Sequence, residues 1–126
     1  MSELSKDFPA LAGLPAALLD AIDANLRTRD FRAGETVFAE GDAGDALYLV
    51  AEGSAEVVAR APAGPVSLAV LGKGDVFGEI ALLVENARRS ASVICTTALR
   101  TLVLDRAVFE KLMIQYPEAR AAWAAH

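Results

Sequence analysis

The sequence predicts an α+β fold: a mainly antiparallel β barrel or sandwich with helices at both ends. From about residue 31 onward, short apolar runs of strand length alternate with glycine-bearing turns, a pattern typical of antiparallel barrels and sandwiches. Before and after that region, apolar residues recur at helical spacing instead. The chain has 126 residues, of which 54% are hydrophobic, so it can enclose one core. We therefore expect a single domain over residues 1–126.

The N-terminal segment predicts a helix over residues 15–28. Pro15 suits a first helical turn. Apolar side chains then recur at helical spacing, at Leu18, Leu19, Ile22 and Leu26. We expect residues 1–30, approximately, to be mainly helical. The first seven residues are polar and acidic, unlike the basic start and apolar stretch of a signal peptide.

The β region is predicted over residues 31–104, approximately, with glycines marking its turns. A single helical turn after Gly78 is expected to interrupt the strands. The predicted strands, chosen for length and β-branched content, are residues 36–39, 47–51, 55–59, 66–71, 90–96 and 99–104.

The C-terminal region, residues 105–126, predicts two helices. Asp105 is expected to be the N-cap of the first. Its buried face would hold Phe109, Leu112 and Met113. Pro117 predicts the start of the second helix, residues 118–126, on which we expect Trp123 to be a packing residue.

Composition excludes several classes of function. The net charge is −5, and no stripe of lysine and arginine marks a nucleic-acid interface. No stretch of 18 uncharged apolar residues predicts a membrane span. Cys95 is the only cysteine, so no internal disulfide can form, which fits a cytoplasmic location.

The segment from Phe77 to Val93 holds one acid and one base, Glu79 and Arg89, ten residues apart. A guanidinium can bind phosphate oxygens through two parallel hydrogen bonds, and a carboxylate can accept a ribose hydroxyl. Gly78 lacks a Cβ, so a sugar could approach the backbone closely. Helix-opening amides after Gly78 would favour an anion. This chemistry is what a cyclic nucleotide requires.

The same segment resembles the phosphate-binding cassette of the cyclic nucleotide-binding domain family, which includes catabolite activator proteins, regulatory subunits of protein kinase A and cyclic nucleotide-gated channels. The family pattern is F-G-E, two or three apolar residues, a variable stretch, then R-x-A-small-V. The matching residues are Phe77, Gly78, Glu79, Leu82, Arg89, Ala91 and Val93. Upstream segments 31–35, 40–45, 48–50 and 53–57 are also typical of the family, so the resemblance extends over residues 11–116, approximately.

The resemblance implies a jelly-roll barrel with a short phosphate-binding helix inside. It implies a regulatory sensor that binds cAMP or cGMP and transmits binding through movement of its C-terminal helices. It implies no catalytic residue, no metal and no cofactor beyond the nucleotide ligand. The ligand-binding residues would be Phe77, Gly78, Glu79, Ile80, Ala81, Arg89, Ser90, Ala91 and Ser92.

The resemblance leaves the effector open, and a homodimer is one option for the assembly. In the family, a residue of the final helix covers the base. That residue would fall a few positions beyond His126, so we expect similar, moderate affinity for cAMP and cGMP. The alternative is that Trp123, or the last helix of a second subunit, covers the base and gives a preference for one nucleotide.

Arg88 departs from the family pattern, in which proline is common at this position. The spacing to Ala91 and Val93 selects Arg89 as the phosphate ligand, so we expect Arg88 to face solvent. Glu79 and Arg89 could instead form a purely structural ion pair.

Two other functions are kept as alternatives. One is a ligand-free interaction domain that retains the fold. The other is a metal-dependent cupin-type enzyme, which is disfavoured because His126 is the only histidine. The acidic residues Glu40, Asp42 and Asp45 are expected to form a solvated turn rather than a Ca²⁺ site.

Overall fold

The computed structural model describes residues 4–78 and 88–117. Its helical elements are α1 (Leu4–Asp7), a 3-10 turn (Pro9–Leu11), α2 (Ala16–Ala24) and α3 (Arg106–Gln115). Its strands are β1 (Arg27–Phe31), β2 (Thr36–Phe38), β3 (Ala46–Glu52), β4 (Ala55–Ala59), β5 (Val66–Leu71), β6 (Val76–Phe77), β7 (Ser92–Cys95) and β8 (Leu99–Asp105). Within these ranges, no helix is long and apolar enough to span a membrane.

The strands form two four-stranded sheets, with the orders β1-β8-β3-β6 and β2-β7-β4-β5. All strand pairs are antiparallel. The predicted fold class is therefore confirmed, although the strands form two separate sheets rather than one closed barrel. This arrangement leaves an open end between the sheets, near Gly78 and Arg89.

Strand β3 lies at the centre of the molecule because both of its faces are covered. Successive side chains of a strand point to opposite faces, and Ala46 to Val50 are all buried. Leu47 and Leu49 pack against the helices, whereas Tyr48 and Val50 pack against the second sheet. The described residues therefore form two hydrophobic cores, one on each side of β3.

The first core lies between the helices and the outer face of the β3 sheet, and we call it the helix-side core. Its buried members are Leu4, Phe8, Leu11, Leu14, Leu18, Leu19, Ile22, Leu47, Leu49, Leu104, Phe109, Leu112 and Met113. The second lies between the two sheets, and we call it the inter-sheet core. Its buried members are Phe31, Val37, Ala46, Tyr48, Val50, Ala55, Phe77, Val93, Cys95, Leu99 and Val103.

The helix predicted over residues 15–28 is wrong at its C-terminal end. Helix α2 ends at Ala24, and residues 27–31 form strand β1 along β8. Arg27 donates to Asp105 through Nε and Nη2, both at 3.0 Å, and these contacts exist only when the segment is extended beside β8. Tertiary pairing has overridden the local helical periodicity.

Asp105 does precede helix α3, as predicted, but it does not cap the helix with its side chain. Its carboxylate accepts the two hydrogen bonds from Arg27 instead. Strand β7 is shorter than the predicted residues 90–96, and the two-residue strand β6 was not predicted. The predicted helical turn after Gly78 and the predicted helix 118–126 lie outside the described residues.

Candidate functional site

A cavity of about 200 Å³ opens between the two sheets. Five of the residues predicted to bind ligand line it together, namely Phe77, Gly78, Arg89, Ser90 and Ala91. They come from the end of β6 and from the segment before β7, which are more than ten positions apart in sequence. Glu79, Ile80 and Ala81 lie outside the described residues.

Arg89 is the most buried charged residue of this site, with 5% of its surface exposed. Its Nη1 donates to the Gly78 carbonyl oxygen at 3.0 Å, and its Nη2 donates to the Ala46 carbonyl oxygen at 2.8 Å. Its guanidinium carbon lies 4.0 Å from the centroid of the Phe38 ring, within range of a cation–π attraction. A buried charge requires such partners because burial removes its hydration. These contacts fix the guanidinium at the cavity wall.

Gly78 is needed at its position for a reason different from the predicted approach of a sugar. Its φ is +88°, a conformation that L-residues other than glycine adopt at a cost. A Cβ atom there would lie 2.9 Å from Nη1 of Arg89 and 3.0 Å from the Ala46 carbonyl oxygen. The absence of a Cβ at Gly78 therefore leaves space for the Arg89 guanidinium.

The acidic turn between β2 and β3 supports the backbone of the arginine segment. The Arg89 amide donates to the Asp42 carbonyl oxygen at 2.8 Å, and the Gly41 amide donates to the Arg89 carbonyl oxygen at 2.8 Å. Arg88 and Ala43 form an isolated antiparallel bridge beside them. The positions of both arginines are thus fixed by main-chain pairing.

The carboxylates of this turn go to separate partners. Asp42 accepts from the Ala39 amide at 3.0 Å, and Glu40 accepts from the Arg60 amide at 3.0 Å. Asp45 is 83% exposed and lies 3.8 Å from Nη2 of Arg89. Within the described residues, no group of three metal-ligating side chains is found. The contacts of Asp42 and Glu40 fit a turn in which carboxylates accept hydrogen bonds from backbone amides.

Three aromatic rings, Phe38, Tyr48 and Phe77, form a cluster beside Arg89. Tyr48 stacks on Phe77 with 5.0 Å between ring centroids, and Phe38 contacts both rings at 5.8 and 5.9 Å. Burial, and to a smaller extent the Asp45 carboxylate, raises the pKa of the Tyr48 phenol. Tyr48 therefore stays neutral at physiological pH and adds no charge to the site.

Several cavity residues were missed by the sequence reasoning. Phe38, Val57, Val76 and Val93 line the cavity from β2, β4, β6 and β7. The alternation of apolar residues along β4 and β7 signals which side chains face inward, but not which of them surround a ligand. Arg88 also lines the cavity while being exposed, so the expectation that it simply faces solvent is incomplete.

Ser90 and Ser92 have different surroundings. Ser90 is exposed and lines the cavity. The Ser92 hydroxyl accepts a hydrogen bond from the Glu40 amide at 2.9 Å, and Ser92 is not among the residues that line this cavity. A ligand contact by Ser92 stays a prediction. Cys95 is buried and reduced, and burial raises the pKa of its thiol, which makes the thiol unreactive.

The described residues form a two-sheet β-roll with a buried arginine at the wall of a cavity between the sheets. The cyclic nucleotide-binding domain family matches residues 28–116. The chain belongs to this family, and the resemblance drawn from its sequence is confirmed.

The chain is similar to regulatory proteins of different kinds. A CRP-like cAMP-activated global transcriptional regulator of Mycobacterium tuberculosis is 31% identical over 119 residues, which are 94% of this chain and 53% of that protein. The regulatory domain of Toxoplasma gondii protein kinase A, solved with cAMP, has a TM-score of 0.81 and 30% identity, over 98% of this chain and 48% of that one. This chain thus spans about half the length of either relative.

A third similar structure differs in its ligand. The regulatory subunit of a cAMP-independent protein kinase A from Trypanosoma cruzi, bound to guanosine, has a TM-score of 0.78 and 32% identity, over 87% of this chain and 38% of that one. Its identity to this chain is close to that of the cAMP complex. Relatives of similar identity to this chain therefore differ in the ligand that their structures hold.

Proposed function

We propose that this chain binds a cyclic 3′,5′-purine nucleotide, cAMP or cGMP, and acts as a regulatory sensor domain without catalysing a reaction. The observation that carries the proposal is the Arg89 guanidinium, held by two carbonyl oxygens and an aromatic ring at the wall of the cavity. A cation fixed in a desolvated site favours a ligand that brings a compensating negative charge. The single charge of a cyclic phosphodiester provides one.

The shape and lining of the cavity fit part of such a ligand. Pockets that enclose a whole drug-sized molecule usually measure roughly 300–1,000 Å³, and this one measures about 200 Å³. The phosphate and ribose would occupy it, with the base extending toward the open side. Apolar walls from Val57, Val76 and Val93 would cover the faces of the sugar.

Glu79 would accept the ribose 2′-hydroxyl, as the family resemblance implies. Its test is a 2′-deoxy cyclic nucleotide, which should bind the wild type poorly and be penalised less in Glu79→Ala. Equal penalties in both proteins would mean that Glu79 does not contact the hydroxyl.

Transmission to the C-terminal helices would pass through the turn between β2 and β3. This turn pairs with the Arg89 backbone, and its other end contacts the start of α3. The Arg106 amide donates to the Asp45 carbonyl oxygen at 2.9 Å, and Arg106 Nη1 donates to the Gly44 carbonyl oxygen at 3.2 Å. A shift of the arginine segment on ligand binding would therefore reach α3 directly.

Calorimetric titration of the wild type, Arg89→Ala and Arg89→Lys with cAMP, cGMP, guanosine and 5′-AMP tests the proposal. We expect one cyclic nucleotide per chain. Arg89→Ala should weaken its affinity roughly 10- to 150-fold, since a hydrogen bond to a charged group contributes about 1.5–3 kcal/mol. Arg89→Lys should recover only part of the loss, because an ammonium cannot form the two parallel hydrogen bonds.

Arg32→Ala is the matched control, because Arg32 is exposed on the turn after β1 and does not line the cavity. Equal affinity in Arg89→Ala and Arg32→Ala would contradict the phosphate assignment. Binding of guanosine with no binding of cAMP or cGMP would replace the cyclic nucleotide by a nucleoside. No binding of any of the four compounds would leave the ligand-free interaction domain as the function.

A further inference from the structure

The adjacent arginines of the cavity have opposite environments. Arg89 is 5% exposed and makes its contacts inside the protein. Arg88 is exposed and lines the same cavity. Main-chain pairing with the β2–β3 turn fixes both backbones, so Arg88 is anchored beside the opening although its side chain is solvated.

The charge balance of the cavity also differs between the two residues. Asp45 lies 3.8 Å from Nη2 of Arg89 and offsets part of the Arg89 charge. Among the residues that the structure describes, the ion pairs formed by arginines involve Arg27, Arg89, Arg100 and Arg106, and not Arg88. Among the described residues that line the cavity, Arg88 is therefore the exposed cation at the opening.

Exposed and buried charges contribute to binding at different stages. An exposed charge at the rim of a site raises the association rate and is screened by salt, whereas a buried hydrogen-bonded charge mainly slows dissociation. We propose that Arg88 is a second ligand-binding determinant, an entrance cation that captures the anionic nucleotide, while Arg89 retains it. This inference rests on the proposed function, since it assumes a ligand with a negative charge.

The rates of binding and release of a fluorescent cAMP analogue, measured by stopped flow, test this division. The variants are Arg88→Ala, Arg88→Lys, Arg89→Ala and the control Arg32→Ala, which removes the same charge at a position outside the cavity. Each is measured at about 0.01 M and at about 1 M salt, where the Debye length is roughly 30 Å and roughly 3 Å. Thermal unfolding without ligand verifies that the variants are folded.

At low salt, we expect Arg88→Ala to lower the association rate about three- to tenfold and to leave the dissociation rate within about twofold of the wild type. The difference should vanish at high salt, and Arg88→Lys should restore the rate because it keeps the charge. Arg89→Ala should instead raise the dissociation rate roughly 10- to 150-fold with little dependence on salt. Arg32→Ala should resemble the wild type.

Two outcomes would overturn the inference while leaving the proposed function intact. In the first, Arg88→Ala has the same rates as Arg32→Ala, so Arg88 has no special role. In the second, Arg88→Ala raises the dissociation rate as much as Arg89→Ala does, so Arg88 holds the phosphate rather than capturing it. If calorimetry shows that the wild type binds no cyclic nucleotide, the proposed function and this inference both fail.

Discussion

The two hydrophobic cores on either side of strand β3 differ in composition and in what borders them. The helix-side core consists almost entirely of leucine, with two phenylalanines, one isoleucine and one methionine. The inter-sheet core mixes valine, alanine and aromatic rings. The buried Arg89 lies at its open end, over the Phe38 ring. One core is apolar throughout, and the other borders a charged cavity.

The difference indicates that one core mainly stabilises the domain and that the other borders the proposed binding site. Burial of apolar surface stabilises a fold in proportion to area and needs no particular ligand. A buried guanidinium contributes little net stability, because its desolvation offsets its hydrogen bonds. Substitutions in the helix-side core should therefore change stability, and substitutions beside Arg89 should change binding. The following predictions test that separation.

The largest expected effect is on stability, in Phe109→Ala. Phe109 is fully buried in the helix-side core, and truncation of such a ring costs about 3–5 kcal/mol of unfolding free energy. Urea unfolding measures this loss, and calorimetry of the folded fraction should show a much smaller change in nucleotide affinity than Arg89→Ala does. If the variant is unfolded, Ile22→Val offers a milder test at about 0.5–1.5 kcal/mol. A large loss of affinity in folded Ile22→Val would show that the two cores are not separate.

Gly78→Ala should affect both properties. The left-handed backbone at φ +88° disfavours alanine by about 1–2 kcal/mol. The added Cβ would also press on Nη1 of Arg89 and on the Ala46 carbonyl oxygen. We expect lower unfolding free energy together with weaker nucleotide binding. Gly34→Ala is the control, since it shares a positive φ of +86° but has no atom within 4 Å of the added Cβ. Equal binding by both variants would remove the steric role assigned to Gly78.

Phe38→Leu should weaken binding more than it lowers stability. Leucine keeps an apolar side chain at this half-buried position but removes the ring beneath Arg89. The ring positions the guanidinium through a cation–π contact of about 0.5–2 kcal/mol, so its removal should cost at most a roughly two- to thirtyfold loss of nucleotide affinity. The loss should be absent in an Arg89→Ala background, which a double-mutant cycle can measure. A loss of the same size in both backgrounds would mean that Phe38 contacts the ligand directly.

The smallest expected effect is the pH dependence of the Arg27–Asp105 pair. The two hydrogen bonds from Arg27 lower the pKa of the Asp105 carboxyl. Because the pKa is lower in the folded state, the pair stabilises folding above the ordinary pKa of aspartate. That contribution is lost as the pH falls through the lowered value. Both side chains are about half exposed, at 51% and 45%, so the pair should contribute about 0.2–1 kcal/mol.

Urea unfolding of wild type and Asp105→Asn, from neutral pH down to about pH 3, measures this contribution. The two proteins should converge in acid. A difference that persists unchanged at the lowest pH would mean that the ion pair is not its origin.

Much of the β-roll could be predicted because its signals are local. Strands β4 and β5 have the predicted bounds. Strand β3 is one residue longer than predicted at each end, and β8 is one residue longer at its C-terminal end. The predicted cassette residues from Phe77 to Ala91 that the structure describes do line one cavity. Their roles in nucleotide binding stay predictions.

Other elements had no local signal. Strand β1 is largely exposed and charged, with only Phe31 buried, so it shows no apolar alternation. Its partners lie about 70 positions away, as the hydrogen bond from Arg100 to Asp30 illustrates. The two-residue strand β6 is too short for any periodicity to be visible. Phe38 has apolar neighbours and gives no indication in the sequence that its ring lies under an arginine.

The sequence by itself determined the family and most of the succession of strands and turns, because these depend on residue spacing and side-chain chemistry. Only the tertiary structure decided what each group contacts. It placed Gly78 against the Arg89 guanidinium. It also paired the Asp105 carboxylate with Arg27 rather than with the first amides of helix α3. It also put one of two adjacent arginines inside the protein and left the other at the cavity opening. Such choices depend on which distant segments pack together, since burial and hydrogen-bond partners are set by neighbours in space.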